Sequence, residues 1–211
     1  MNTSLTKTLF FIGFLLISLA CNAQDEEDNT VPDYSDYVIT TKGDTIHCNV
    51  DRPLIGKPRY QSKTMSKDEK ITPDNISEYS YNFFGKLYRA VYRDDHPTKE
   101  FLEVVENGPI SIYEIVRATP GPGVSIATGA SLMLSVTSSA RDWFIGKNSD
   151  NVHSIKSSLY LMGNHNGRKD EFGEMLKDKP DIYNKYMADD KFTFKQIKNL
   201  VHLYNTGKPL K

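Results

Sequence analysis

From Tyr37 to Ala118 the chain is cut into short β-rich runs by turn-forming residues, which restricts it to a sheet of tightly connected strands. Tyr37 to Thr41, Lys42-Gly43-Asp44 and Thr45 to Asp51 together read as a hairpin, two β-rich runs flanking a glycine-containing turn. Further strands are expected around Arg59–Thr64, Glu78–Phe84, Lys86–Arg93, Glu100–Glu106 and Ile110–Ala118. Gly85, Asp94-Asp95-His96-Pro97 and Asn107-Gly108 separate them. Arg141 to Lys147, carrying Trp143, Phe144 and Ile145, reads as one more strand. Short strands joined by tight turns favour an antiparallel sheet closing into a sandwich or open barrel.

The pattern changes after Thr119-Pro120-Gly121-Pro122-Gly123. Val124–Val136 is apolar but rich in small residues, and its 13 residues fall short of the roughly 20 that span a bilayer core. It suits a loop leading into a buried strand or short helix, with a membrane-touching hairpin as the alternative. From about Asn166 the spacing becomes helical: Phe172, Met175 and Leu176 first, then Ile182, Tyr183 and Tyr186 after Pro180, a residue suited to opening a helix. Thr193-Phe194-Lys195-Gln196 is a capping box. Ile197, Leu200, Val201 and Tyr204 form one apolar stripe beyond it, and Gly207 and Pro209 stop the helix. The expected fold class is therefore α+β: an antiparallel β domain over residues 37–146, with a small C-terminal helical segment, 147–211, packed on it.

The first residues read as an export signal. Lys7 marks a weakly basic start, Leu9 to Leu19 is an apolar core, and Leu19-Ala20-Cys21-Asn22-Ala23-Gln24 offers two cuts. Cleavage after Ala23 removes residues 1–23 as an ordinary signal peptide. Cleavage after Ala20 removes 1–20 and leaves Cys21 to be acylated. The acidic run Asp25-Glu26-Glu27-Asp28 follows, and residues 24–36 read as an acidic disordered tether. The chain is thus expected in the periplasm, outer membrane or cell surface, touching a membrane only through a lipid on Cys21, with no transmembrane helix in the mature part.

Under either cut Cys48 is the one cysteine left to pair, so no internal disulfide can form and stability must come from the core. Cys48 alternates with Ile46 and Val50, which places it on the buried face of a strand as a structural thiol. Loss of residues 1–23 removes Lys7 alone among the charged residues, leaving 25 basic against 27 acidic, a net charge of −2. Without a clustered basic face, no nucleic-acid partner is expected.

Catalytic signals are sparse. His47, His96, His153, His165 and His202 form no ligand pair at helical or strand spacing, and no cofactor or metal is expected. Asp94-Asp95-His96 reads as a solvated turn before Pro97. Gly123-Val124-Ser125-Ile126-Ala127 misses the last glycine of a nucleophile elbow, and Pro120 and Pro122 remove amides that a phosphate loop would need. Asn164-His165-Asn166-Gly167-Arg168 could serve a polar site, but Asn166 is first a helix-cap candidate. Aromatic residues offer the most interesting surface. Tyr79, Tyr81 and Phe83 fall on one face of one strand, and Tyr88 and Tyr92 on one face of the next, suited either to stacking on a glycan or peptide or to closing the sheet. The function expected is a non-enzymatic envelope or cell-surface module that binds a protein or glycan. The alternatives are an envelope hydrolase with a dispersed active site and a membrane-contacting accessory protein.

Four segments carry a resemblance: Tyr37 to Ile46 (YVITTKGDTI), Phe101 to Gly108 (FLEVVENG), Ser111 to Glu114 (SIYE) and Ile197 to Asn205 (IKNLVHLYN). Together they are similar to an uncharacterised group of exported Bacteroidota proteins with an N-terminal "ITxxGDT" hairpin and a C-terminal helix ending in "YN". Val124–Val136 departs from that pattern. The resemblance implies the compartment and the two-part layout, and carries no catalytic residues.

Overall fold

The computed structural model describes residues 34–53, 56–120, 136–158, 165–189 and 191–210. The expected export signal with Cys21, most of the expected tether and all but the last residue of Val124–Val136 lie outside them. Ten strands make one mixed sheet: β1 (Asp36–Thr40), β2 (Thr45–Asp51), β3 (Arg59–Gln61), β4 (Glu69–Lys70), β5 (Ile76–Tyr81), β6 (Lys86–Arg93), β7 (Glu100–Glu106), β8 (Ile110–Pro120), β9 (Val136–Lys147) and β10 (Asn151–Ser157). Their order is β10-β9-β8-β7-β6-β5-β1-β2-β3-β4. Three helices follow, α1 (His165–Leu176), α2 (Pro180–Ala188) and α3 (Phe194–Thr206). The α+β expectation, a sheet followed by a small helical segment, describes the molecule.

All pairings are antiparallel except one. The start of β10 runs parallel to the end of β6, with Asn151 opposite Tyr92 and Val152 opposite Arg93. Tyr92 N donates to Asp150 O at 2.8 Å and Asp94 N to Val152 O at 3.1 Å. This pairing closes β6 to β10 into a ring, so the expected open barrel is closed over five strands. Val91, Leu102, Tyr113, Phe144 and Val152 fill its interior.

The other half uses the opposite face. Val38, Cys48, Val50, Tyr60, Ile71, Ile76, Tyr79 and Tyr88 form a second core under β1–β6. Register connects the halves: Ile46–Val38–Tyr79–Tyr88–Glu103–Glu114–Trp143–Lys156 is one continuous cross-strand row. Directly opposed residues share a face. The face that is interior around Tyr79 is therefore the barrel's outer face at Trp143, and β6 serves both cores, through Tyr88 on one side and Val91 on the other.

That outer face is covered by the helices. Ile110, Ile112, Trp143, Ile145 and Ile155 pack against Phe172, Leu176, Ile182, Tyr186, Phe192 and the stripe Ile197, Leu200, Val201 and Tyr204. Pro180 occupies the first turn of α2. In α3, Thr193 Oγ1 accepts from Gln196 N at 3.1 Å and Gly207 ends the helix at φ 71°. The reciprocal half of the capping box is diverted, because Gln196 Nε2 donates to Asp189 O at 3.3 Å instead.

Several boundaries differ from expectation, β9 starting at Val136 and the short β4 among them. The sheet does not stop at residue 146: β9 runs to Lys147, a turn with Asn148 at φ 50° follows, and β10 continues to Ser157. Strand β10 escaped notice because Val152 serves the barrel interior and Ile155 the helix side, so neither face shows alternation. Asp36, expected as the last residue of a tether, instead opens β1 and is buried, its Oδ2 accepting from Val50 N at 3.0 Å. Strand β5 stops at Tyr81, and Asn82–Phe84 forms a 3-10 turn closed by Gly85 at φ 61°. Asn166 lies inside α1, not at its cap, since the helix starts at His165.

The β7–β8 turn and the end of α3 lock together. Asn205 Oδ1 accepts from Ile110 N at 3.1 Å, while its Nδ2 donates to Ile110 O at 2.7 Å and Asn107 O at 3.4 Å. A Cβ at Gly108 would sit 2.4 Å from Asn205 Cγ, closer than any side chain tolerates. Tyr204 hydroxyl donates to Asp178 Oδ2 at 2.5 Å. The "NG" turn and the "YN" helix end, 97 residues apart, are thus the two sides of one contact.

Candidate binding groove

The aromatic residues singled out from the sequence divide into core and surface. Tyr79, 1 % exposed, and Tyr88, 6 % exposed, stack on each other with ring centroids 4.9 Å apart, and Phe101 meets Tyr79 edge-on at 5.0 Å. Burial pushes the Tyr79 hydroxyl up to about 12. These two rings close the N-terminal core and present no free face. Tyr81 is half-buried and Phe83 stands on the 3-10 turn, clear of the strand. Tyr92 is exposed at the far end of β6, with Lys99 Nζ 4.9 Å from its ring centre. The five residues therefore do not form one surface, because strand alternation sends Tyr79 and Tyr88 into a core and the turn takes Phe83 out of register.

A groove does form farther along the same cross-strand row. Glu103, Glu114 and Trp143 lie side by side across β7, β8 and β9, and Phe194, Lys195 and Lys198 of α3 form the opposite wall. Val104, Val105 and Arg141 complete a space of about 560 Å³. Glu103 Oε2 accepts from Lys86 Nζ at 2.6 Å. Glu114 Oε1 accepts from Trp143 Nε1 at 3.2 Å and pairs with Arg141 Nε at 2.5 Å. Phe194 packs edge-on against Trp143 with ring centroids 4.8 Å apart.

Two glutamates directly opposed on one sheet face disfavour folding by roughly 0.2–1 kcal/mol. Lys86 and Arg141 offset that repulsion and fix both carboxylates as acceptors. Sequence reading missed the pair because Glu103 and Glu114 sit eleven residues apart, and only the β7–β8 register brings them together. Neither strand carries a period-two alternation that would have marked the pair, since the charges in β7 recur every third residue at Glu100, Glu103 and Glu106.

Other polar groups are occupied structurally. Asp142, fully buried at the barrel end, accepts from Ser157 Oγ at 2.5 Å and pairs with Arg117 Nε at 3.3 Å. Arg89 donates to Glu78 Oε2 through Nε and Nη2 at 2.8 and 2.6 Å, and through Nη1 to Tyr113 hydroxyl at 3.4 Å. Arg93 forks onto Asp95 at 2.6 and 2.8 Å, and that hydrogen bonding holds the Asp95 carboxyl below its usual range. Asp94-Asp95-His96 thus forms the turn expected of it.

Among the described side chains, His47, His96, His153 and His202 do not converge. His47 is exposed on β2, and His96 Nδ1 lies 3.0 Å from Thr98 O. His153 Nε2 lies 3.3 Å from Glu171 Oε1 and His202 Nδ1 2.9 Å from Glu106 Oε1, while His165 opens α1. Among the described residues no group of three or more His, Cys, Asp or Glu side chains is arranged around a metal ion. Cys48 is fully buried, and burial, with the Asp36 charge beside it, pushes its thiol up to about 11. Ser125 and Gly121–Gly123 lie outside the described residues. No described helix is long and apolar enough to cross a membrane.

Family models match no part of this chain, and neither the curated proteins nor the solved structures contain a match to it.

Proposed function

We propose that this is an exported, non-enzymatic binding protein of the cell envelope, and that the groove between Glu103, Glu114, Trp143 and α3 receives a glycan chain. The carrying observation is the opposed pair Glu103–Glu114, each held by a basic side chain within 2.6 Å. Fixed carboxylates with lysines facing them supply the acceptors and donors that sugar hydroxyls require, and Phe194 against Trp143 supplies an apolar wall. Such groups bind well because they need no reordering when the ligand arrives.

One feature favours hydrolysis as a second reading. Opposed side chains in an antiparallel pair have Cβ atoms about 4.5–5.5 Å apart, close to the carboxyl spacing of about 5–5.5 Å in retaining glycosidases. Both carboxylates are engaged by neighbouring side chains, Glu103 by Lys86 and Glu114 by Arg141 and Trp143, which positions them as hydrogen-bond acceptors. Binding is therefore the better-supported activity.

The test is a glycan array probed with the parent protein and with Glu103→Gln, Lys198→Ala and both together. Binding that falls at least tenfold in the double variant supports the groove. An array without ligands, or binding indifferent to both substitutions, removes it. Capture of peptides with the same dependence would keep the groove and change its ligand. Turnover of any glycan, ester or peptide that survives purification and dilution, and is lost in Glu114→Gln, would replace binding with catalysis.

A further inference from the structure

The turn between β5 and β6 carries the most exposed aromatic side chains among the described residues. Phe83 is 83 % exposed and Phe84 59 %, their ring centroids are 4.8 Å apart, and Phe84 lies 5.1 Å from Tyr81. Leaving two phenylalanine rings in water forgoes a large apolar contribution to folding. The turn itself is well held: Gly85 N donates to Asn82 O at 2.9 Å and Gly85 takes the left-handed conformation at φ 61°.

This turn is bonded to the place where the N-terminal segment enters the fold. Asn82 N donates to Asp36 Oδ1 at 2.7 Å, and Asn82 Nδ2 donates to the carbonyl of Ser35. Fourteen Cα–Cα steps lead from Cys21 to Ser35. Covalent geometry limits that length to about 50 Å, whatever path it follows. The chain that leads back to Cys21 enters the described fold beside Asn82 and its neighbouring rings. Phenylalanine and tyrosine rings on a rigid hairpin tip suit the layer between lipid headgroups and acyl chains.

We infer that the Phe83–Phe84 turn is a membrane-interface contact that seats the folded body on the bilayer carrying its anchor. This inference rests on the proposed export and on acylation at Cys21. It gives the anchored body a second point of attachment, which would orient it on the bilayer.

The test uses the full chain expressed with its own leader, so that processing is native, and then combined with phosphatidylcholine vesicles. In Phe83→Trp, emission should shift to the blue and be quenched by lipids brominated near the headgroup. The only native tryptophan, Trp143, is 4 % exposed and gives a constant background that the parent protein measures. In a Cys21→Ser background, which has no acyl chain to hold the protein on the vesicle, Phe83→Ser with Phe84→Ser should lower vesicle association about tenfold or more, with unchanged circular dichroism. Emission typical of water, quenched by iodide and untouched by brominated lipid, would overturn the inference. So would a dimer that disappears in the double serine variant, since the rings would then belong to a second copy. Intact mass of the same preparation reports acylation separately. Lipid quenching without acyl mass retains the contact and removes the anchor; acyl mass without quenching does the reverse.

Discussion

Two tyrosines and two glutamates occupy neighbouring places in one cross-strand row, Tyr79–Tyr88–Glu103–Glu114, yet they meet opposite environments. Around Tyr79 the sheet curls so that this face is interior, and the rings stack. At Glu103 the barrel has turned the same face outward, and α3 stands off far enough to leave a groove. Register and alternation are the same in both regions. The parallel β10–β6 pairing closes the ring on the other side of the sheet, and that closure decides which residues of the row become core. Position along a strand therefore identifies neighbours, while curvature assigns inside and outside.

The largest effect that would break this comparison is expected in the barrel core. Phe144→Ala should remove about 3–5 kcal/mol of stability, read from denaturant unfolding. Because β6 contributes to both cores, Trp143 fluorescence and Cys48 labelling should report a single transition. Two separated transitions would mean that the halves fold independently. The thiol sharpens this readout: fully buried and raised to about 11, Cys48 should resist a disulfide reagent at pH 8 and react only as fast as its core opens.

The lock between α3 and the β7–β8 turn is expected to matter less. Asn205→Ala leaves Ile110 N and O without their side-chain partner and should cost about 1–3 kcal/mol. Hydrogen exchange should rise first in α3 and at Ile110. Unchanged exchange there would show that the apolar stripe alone holds the helix. Gly108→Ala should reproduce the effect by pushing Asn205 away.

The smallest effect concerns pH. The Asp95 carboxyl lies below its usual range because Arg93 hydrogen-bonds it, with further attraction from the same guanidinium. A depressed carboxyl contributes stability at pH values above the ordinary range of about 4 and loses it as pH falls through the depressed value. Half-exposure limits the contribution to roughly 0.5 kcal/mol or less. The fall in Tm from pH 6 to pH 3 should therefore be slightly shallower in Asp95→Asn than in the parent. An identical slope would assign the acid limb to other carboxylates.

Much of the fold was legible because it is encoded locally. The Tyr37–Asp51 hairpin carries its glycine turn, Cys48 alternates with Val50, and Thr193 with the stripe from Ile197 to Tyr204 defines α3. Strand β10 was hidden because its apolar residues serve different faces. The groove was hidden because a glutamate on a strand reads as a solvated residue until its opposite partner is known. The aromatic residues misled for a related reason: alternation places Tyr79 and Tyr88 on a common face without saying whether that face meets water.

By itself, the amino-acid sequence determined most of the strand succession, the C-terminal helices and the buried thiol at Cys48. Each follows from residue type and short-range spacing. Tertiary structure alone decided that β10 closes on β6, that Asn205 grips Ile110 across 95 residues, and that Glu103 and Glu114 stand opposed beneath α3. Those features depend on strand register and sheet curvature, which emerge only when distant segments pack and their combined burial selects one arrangement.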